Sequence, residues 1–316
     1  MKLEEVSLKC KKVLKEVGRV IVGKEEVVEK LLLAILSDGH VLIEDYPGLA
    51  KTLMAKTLAR TLSCEFKRVQ FTPDLLPADI TGTYVYNQKT MEFEFRKGPV
   101  FTNILLADEI NRAPPKTQSA LLEAMQEKQV TVDGTTYRLK RPFIVIATQN
   151  PIEYEGVYPL PEAQIDRFLM KLKVGFPNRS EEIEILKRRL AWKSDVIEVK
   201  EVVDLKTLID MQKAVEEVYV DDKILEYIVD ITRATREHPR VELGVSPRGT
   251  VFLMKLARAK AAVEGRDYVV PDDVKYIAVE ALAHRIILKT ELWIKGVKVE
   301  QVVRDILEKT PVPKGY

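Results

Sequence analysis

The 316-residue chain has only two cysteines, Cys10 and Cys64. Two thiols cannot build a disulfide framework or, by themselves, a zinc site, and they read as reduced thiols of a cytoplasmic protein. Long apolar runs are missing too. Residues 31–36, among the longest, fall far short of the ~20 residues of a spanning helix. The N-terminal Met1-Lys2-Leu3-Glu4-Glu5 meets charge where a signal peptide would turn apolar, so membrane insertion is not expected. Neither charge sign is in excess: 50 Lys+Arg stand against 48 Asp+Glu, a formal net charge of +2. No strongly basic nucleic-acid footprint therefore shows in the total. Asparagine and glutamine are scarce beside abundant lysine and glutamate, a composition that leans toward heat-adapted proteins. What is present is 46% hydrophobic and 31% charged residues. That mixture is too apolar for disorder, and the length exceeds what one core usually fills, which points to two domains.

The first forty residues carry helical periodicity, best in Val27, Val28, Leu31, Leu32 and Ile35, with Gly39 as a stop. A compact strand, Val41-Leu42-Ile43, is followed by a Pro-Gly turn and a helical stretch from Lys51 to about Leu62. Further apolar strands are expected over 66–71, 104–107 and 143–147. Short strands apolar on both faces, alternating with helices, predict a parallel sheet between helical layers. Two hairpins interrupt that alternation. One spans 83–95 around Asn87-Gln88-Lys89-Thr90; the other spans 130–139 around Asp133-Gly134, a strong two-residue turn signal. After Phe176-Pro177-Asn178-Arg179-Ser180 the pattern becomes helix after helix to about Lys309, with Ser180 before Glu181-Glu182-Ile183 read as the first helix start. The expected division is an α/β nucleotide-binding core over 1–178 and an all-α lid over 179–316.

Five segments carry chemistry. The first is Glu44-Asp45-Tyr46-Pro47-Gly48-Leu49-Ala50-Lys51-Thr52, with Leu53 next in the helix. A strand, a tight turn and Lys-Thr opening a helix is the geometry that cradles phosphates: backbone N–H groups and the helix end face the anion, Lys51 reaches the β and γ phosphates, and the Thr52 hydroxyl suits Mg²⁺. The match to GxxxxGK[ST] is imperfect, with Asp45 and Ala50 at the two glycine positions, so the Asp45 carboxylate must point away from the phosphates. The second is Ile104-Leu105-Leu106-Ala107-Asp108-Glu109, which puts two acids at the carboxyl edge of the sheet, where open α/β folds bind ligands. Asp108 would hold Mg²⁺, usually through water, and Glu109 would orient and polarise the attacking water. The third is Ala147-Thr148-Gln149-Asn150, whose neutral amide suits a γ-phosphate contact. The fourth is Arg167 in Ala163-Gln164-Ile165-Asp166-Arg167-Phe168, a candidate finger for a neighbouring subunit's nucleotide. The fifth is Arg248 in Gly244-Val245-Ser246-Pro247-Arg248-Gly249, a cation in the first turn of a helix, where it opposes the dipole and so suits an anionic partner. Taken singly, each also fits an ordinary strand end, turn or surface pair; their order along the chain is what favours the functional reading.

That order resembles AAA+ ATPases: a Walker A-like Gly48, Lys51 and Thr52, a Walker B Asp108-Glu109, a sensor-1 Asn150, a finger Arg167 and a sensor-2 Arg248. The strings "EDYPGLAKT", "QFTPDLLPADITG", "LLADEINRAPPKTQSALLEAMQE", "ATQNP", "LPEAQIDRFLMK" and "GVSPRG" narrow the resemblance to the MoxR family, over nearly the whole chain from about Ile21. The resemblance implies an AAA+ P-loop core with two β-hairpin inserts followed by a helical lid, and a hexameric, cytoplasmic ATPase using ATP and Mg²⁺. It also implies a chaperone role in assembling or activating a protein client, often with a von Willebrand factor A-domain partner. Both hairpins would face the ring's pore or upper surface. Ile21-Val22-Gly23 would line the adenine pocket, with Lys24 where glutamine is common, and Arg248 would act within its own subunit or on a neighbour. Arg112 is a second inter-subunit candidate, and Gln70 is a candidate to couple ligand binding to Glu109.

Three other readings compete with a remodelling ATPase. A nucleotide-gated scaffold with slow hydrolysis would use the same residues. A nucleic-acid motor has Arg138, Lys140 and Arg141 in its favour, and the near-neutral charge and Glu92 and Glu94 against it. A metabolic kinase would leave Arg167 and the lid without a role.

Overall fold

The computed structural model describes residues 1–151, 156–194 and 197–315. Two helices lead in, α1 (Leu3–Gly18) and α2 (Glu25–Leu36). The core continues as β1 (Val41–Glu44), α3 (Lys51–Thr61), β2 (Phe66–Gln70), α4 (Pro77–Thr81), β3 (Gly82–Asn87), β4 (Glu92–Lys97), β5 (Ile104–Asp108), a 3₁₀ turn over Ile110–Arg112, α5 (Pro115–Glu127), β6 (Gln129–Val132), β7 (Thr135–Arg138), β8 (Ile144–Gln149), α6 (Glu162–Ile165) and β9 (Met170–Leu172). Five of these strands form one sheet in the order β2-β5-β8-β1-β9, every pair parallel. The expected strands are all present; β9, three residues long beside β1, was not expected. Its brevity explains why no periodicity announced it.

Alternate residues of the central strands enter different apolar layers, which is why those strands read as continuous hydrophobic runs. Val41, Ile43, Ile104, Leu106, Ile144 and Ile146 join the layer built by α1, α2 and α3. Leu42, Leu105, Ala107, Val145 and Ala147 join Phe71, Ile80, Leu121, Leu122 and Phe168 on the other side. The two hairpins, β3–β4 and β6–β7, stand apart from this sheet as separate two-stranded ladders. Asp133 and Gly134 both take positive φ, 48° and 79°, as a two-residue primed turn requires.

The remainder is helical: α7 (Arg179–Trp192), α8 (Leu205–Glu216), α9 (Asp222–Glu237), α10 (Pro247–Val263), α11 (Pro271–Leu282), α12 (Thr290–Ile294) and α13 (Val299–Lys309), with β10 (Val241–Leu243) and β11 (Ile287–Leu288) as a short antiparallel pair. Helix α7 begins two residues earlier than a cap at Ser180 would start it. Asn178 is its cap: the side-chain Oδ1 accepts from the N–H groups of Ser180 (2.9 Å) and Glu181 (3.0 Å), while Glu181 Oε2 accepts from Asn178 N–H (2.7 Å), a reciprocal box. The apolar layer of α1 and α2 runs without a break into buried residues of α8, α9, α10, α11 and α13. Among the described residues no helix is long and apolar enough to cross a membrane.

Candidate functional site

The loop between β1 and α3 is shaped by two residues of positive φ, Gly48 (82°) and Ala50 (57°). A Cβ on Gly48 would meet nothing within 4 Å, so glycine is needed there for backbone conformation and not for space. Ala50 adopts the left-handed region with a side chain, a conformation that costs roughly 1–2 kcal/mol. The N-terminus of the 11-residue α3 therefore opens onto a cavity of about 420 Å³ lined by Pro47, Gly48, Leu49, Ala50, Lys51, Thr52, Leu53, Arg68, Gln70, Asp108, Glu109 and Asn150. Most of the expected site residues converge here.

Asp45 is turned out of that cavity. Its carboxylate is buried and accepts three backbone N–H groups, from Tyr46 (2.8 Å), Val174 (2.6 Å) and Gly175 (2.6 Å). The aspartate at the first glycine position thus fastens the phosphate loop to the segment leading from β9 into the lid. Beside it, Tyr46 stacks on Phe176 at 5.6 Å, and Lys24 Nζ donates to the Phe176 carbonyl at 3.2 Å. Lys51 Nζ donates to the Asp45 carbonyl at 2.7 Å. Burial pushes the Lys51 ammonium below its ordinary value, opposed by Asp108, Asp45 and Glu109.

The two acids at the end of β5 are held by their neighbours. Thr148 Oγ1 donates to Asp108 Oδ1 at 2.6 Å and accepts from the Glu109 N–H at 2.8 Å, so one hydroxyl on β8 orients both. Arg68 reaches Asp108 Oδ2 through Nη2 at 2.6 Å and Nε at 3.0 Å, and Nη2 also donates to Gln70 Oε1 at 2.9 Å. Gln70 Nε2 in turn donates to Glu109 Oε2, and Arg112 Nε lies 3.1 Å from the same oxygen. Glu109 itself sits at φ 56°, so two non-glycine residues of this cavity carry backbone strain, as active sites often do. Gln70 was legible from its place at a strand end. Arg68 was not, because a charged residue on an edge strand ordinarily only solvates that edge.

Among the described residues no three His, Cys, Asp or Glu side chains converge to hold a metal. A cation here would therefore rely on Thr52, Asp108 and phosphate oxygens. Hydroxyl and carboxylate oxygens are hard donors that suit Mg²⁺, which keeps much of its shell as water and phosphate.

The other expected residues lie elsewhere. Gly23 lines a neighbouring cavity of about 490 Å³ with Lys24, Lys171, Val174 and Glu280, and Val22, half-buried, does not line the phosphate cavity. Arg167 and Arg248 line a third cavity of about 180 Å³ together with Lys128 and Lys255, at the Asp38-Gly39-His40 end of β1. That is the opposite end of the strand from the phosphate loop. Asp166 is the hub beside them: it meets Arg248 Nη1 at 3.3 Å, Ser246 Oγ at 3.3 Å and Arg285 Nε at 2.8 Å. Arg285 also donates to the carbonyls of Asp166, Phe168 and Ala281, and burial lowers its guanidinium to about 10 against the pull of Asp166. Asp166 and Arg285 together join core to lid. Nothing in the sequence signalled that pairing, since its partners stand 119 residues apart.

This arrangement has close counterparts. The model of the ATPase family associated with various cellular activities (AAA) matches residues 40–170, and that of an AAA lid domain matches 233–306. An uncharacterised protein of Bacillus subtilis, YeaC, is 54% identical over 303 residues, covering 96% of this chain and 94% of its own. Chaperone MoxR1 of Mycobacterium tuberculosis is 44% identical over 308 residues, covering 95% and 81% respectively. The crystal structure of a candidate ATPase from Cytophaga hutchinsonii superposes with a TM-score of 0.91 at 44% identity, covering 98% of each chain. With a relative so named aligned along almost its full length, and both the sheet and the helical region matched, the chain belongs to the MoxR family of AAA+ ATPases.

Proposed function

We propose that this protein hydrolyses ATP at sites shared between the subunits of a closed, six-membered ring and uses the cycle to remodel, assemble or activate a protein client. The observation that carries the reading is the division of the site residues. Lys51, Thr52, Asp108, Glu109 and Asn150 meet in one cavity, while Arg167 and Arg248 line another at the far end of β1. A lone subunit thus has the phosphate cradle and the acids, with both candidate arginines out of reach of them, and a head-to-tail neighbour supplies what is missing. This division favours Arg248 acting on a neighbour's nucleotide. The nucleotide-binding core runs over 1–178 and the lid over 179–316 in this reading.

The chemistry follows from the geometry. Backbone N–H groups at the start of α3 and the Lys51 ammonium bind the phosphates. Thr52 and Asp108 would hold Mg²⁺, which supplies charge neutralisation across the phosphate oxygens when bound. Glu109, oriented through Thr148 and Gln70, accepts the proton of the attacking water, and Asn150 positions that water without charge repulsion. Val22 and Gly23 are assigned to the adenine end of the nucleotide, supported by the link from Lys24 and Tyr46 to Phe176. The client role rests on the likeness to a protein named as a chaperone. A von Willebrand factor A-domain partner and a cytoplasmic location belong to the same proposal.

The test is subunit mixing. Glu109→Gln and Arg167→Ala should each bind nucleotide and lose turnover, the arginine by roughly 10³–10⁵. Mixed in equal amounts they should recover activity at about one quarter of the sites, those where an intact Glu109 meets an intact neighbouring Arg167. Arg167→Ala hydrolysing ATP like the wild type at ring-forming concentration would exclude the shared site.

A further inference from the structure

Asp108 carries more partners than a cation ligand needs. Its Oδ1 accepts from Thr148, and both hydrogen bonds from Arg68 fall on Oδ2. Of about four lone-pair positions on a carboxylate, three are taken. Arg68 holds its place by a fork of Nε and Nη2, with its side chain 47% exposed against 13% for Asp108. It can therefore leave toward solvent at little desolvation cost, whereas Asp108 cannot. Arg68 and Gln70 are two apart on β2 and so share a face, and Gln70 lies opposite Asp108 in the parallel register. The contacts form a chain: Asp108 to Arg68, Arg68 to Gln70 Oε1, and Gln70 Nε2 to Glu109.

We propose that Arg68 competes with the divalent cation for Asp108 Oδ2. A guanidinium and a doubly charged ion cannot share one carboxylate oxygen without strong like-charge repulsion, so arrival of the nucleotide-bound cation expels Arg68. Arg68 is thus a positioning residue whose hold on Asp108 sets how much Mg²⁺ the site needs. The inference rests on the nucleotide-site reading given above.

Equilibrium binding of a fluorescent ADP analogue, followed by anisotropy while Mg²⁺ is titrated, tests it without any turnover. Removing the competitor in Arg68→Ala should lower the Mg²⁺ concentration at the midpoint about three- to tenfold, the range of a half-exposed charge-assisted pair. In excess EDTA the analogue should bind Arg68→Ala no more tightly than it binds the wild type. Arg68→Lys, which keeps a cation on Asp108, should return the midpoint most of the way to the wild-type value. Wild-type binding with an unchanged midpoint in Arg68→Ala overturns the proposal, and means that the cation takes the remaining lone pair of Oδ1 beside Arg68. Equal tightening with and without Mg²⁺ overturns it too. Absence of analogue binding by the wild type at every Mg²⁺ concentration would overturn the nucleotide site itself.

Discussion

Asp45 shows how far a motif and a structure can differ at one residue. By pattern, glycine there would restore one of the two missing glycines of the phosphate-loop signature. By geometry, its carboxylate Oδ2 accepts from the N–H groups of both Val174 and Gly175. Asp45→Gly should therefore destabilise the fold by about 2–4 kcal/mol in denaturant titration, since buried donors lose a charged acceptor, and Asp45→Asn should cost less because the amide oxygen still accepts. A glycine variant as stable as the wild type would refute the clamp. The residues that the sequence pattern groups and the fold brings into one cavity, Lys51, Thr52, Asp108, Glu109 and Asn150, all sit at a strand end or helix start, where position along the chain fixes position in space. Those missed, Arg68, Thr148 as orienter and the Asp166–Arg285 pair, owe their roles to contacts across strands or across 119 residues, which no local pattern encodes.

Among the elements, the strands buried on both faces were the most legible, because continuous apolar runs admit few other placements. Strand β9 and the β10–β11 pair escaped, being two or three residues long and held by neighbours. The hairpins were legible from their turns, but their mutual packing was not. Phe95 of one stacks on Tyr137 of the other with centroids 4.1 Å apart and planes 13° from parallel. The phenol oxygens of Tyr84 and Tyr137 are 2.6 Å apart, and Phe101 closes the cluster edge-on. The two inserts are therefore one arm. Aromatic pairs of this kind contribute about 0.5–1.5 kcal/mol beyond their area, so Tyr137→Ala should raise amide exchange about two- to tenfold in both β3–β4 and β6–β7. Faster exchange confined to β6–β7 would show that the inserts move separately.

For the whole molecule, acidity is a weak point. All three histidines are held below their ordinary value of 6.5, each chiefly by burial and then by a nearby cation: His40 by Lys128, His238 by Arg240 and His284 by Arg285. His40 is the clearest, lowered to about 3, with Nδ1 accepting from the Val145 N–H and Nε2 donating to the Met125 carbonyl, each at 3.0 Å. The unfolded chain takes up a proton below about pH 6.5 that the folded chain refuses until about pH 3, so stability falls as pH drops through that window. At pH 5 His40 alone should cost about 2 kcal/mol relative to pH 7. Thermal melts at the two pH values measure the loss, and His40→Gln should shrink the difference between them; an unchanged difference would assign the acid sensitivity elsewhere.

The apolar layer shared by α1, α2 and the helices of 199–306 has a mechanical consequence. Because these helices are packed against one another along a buried surface, the lid cannot swing like a door on the short connection after β9. Any change in its angle has to proceed by shear: interlocked side chains slide past each other in small steps between rotamers, and the Asp166–Arg285 contact sets how far the slide can go before a buried charge is stranded.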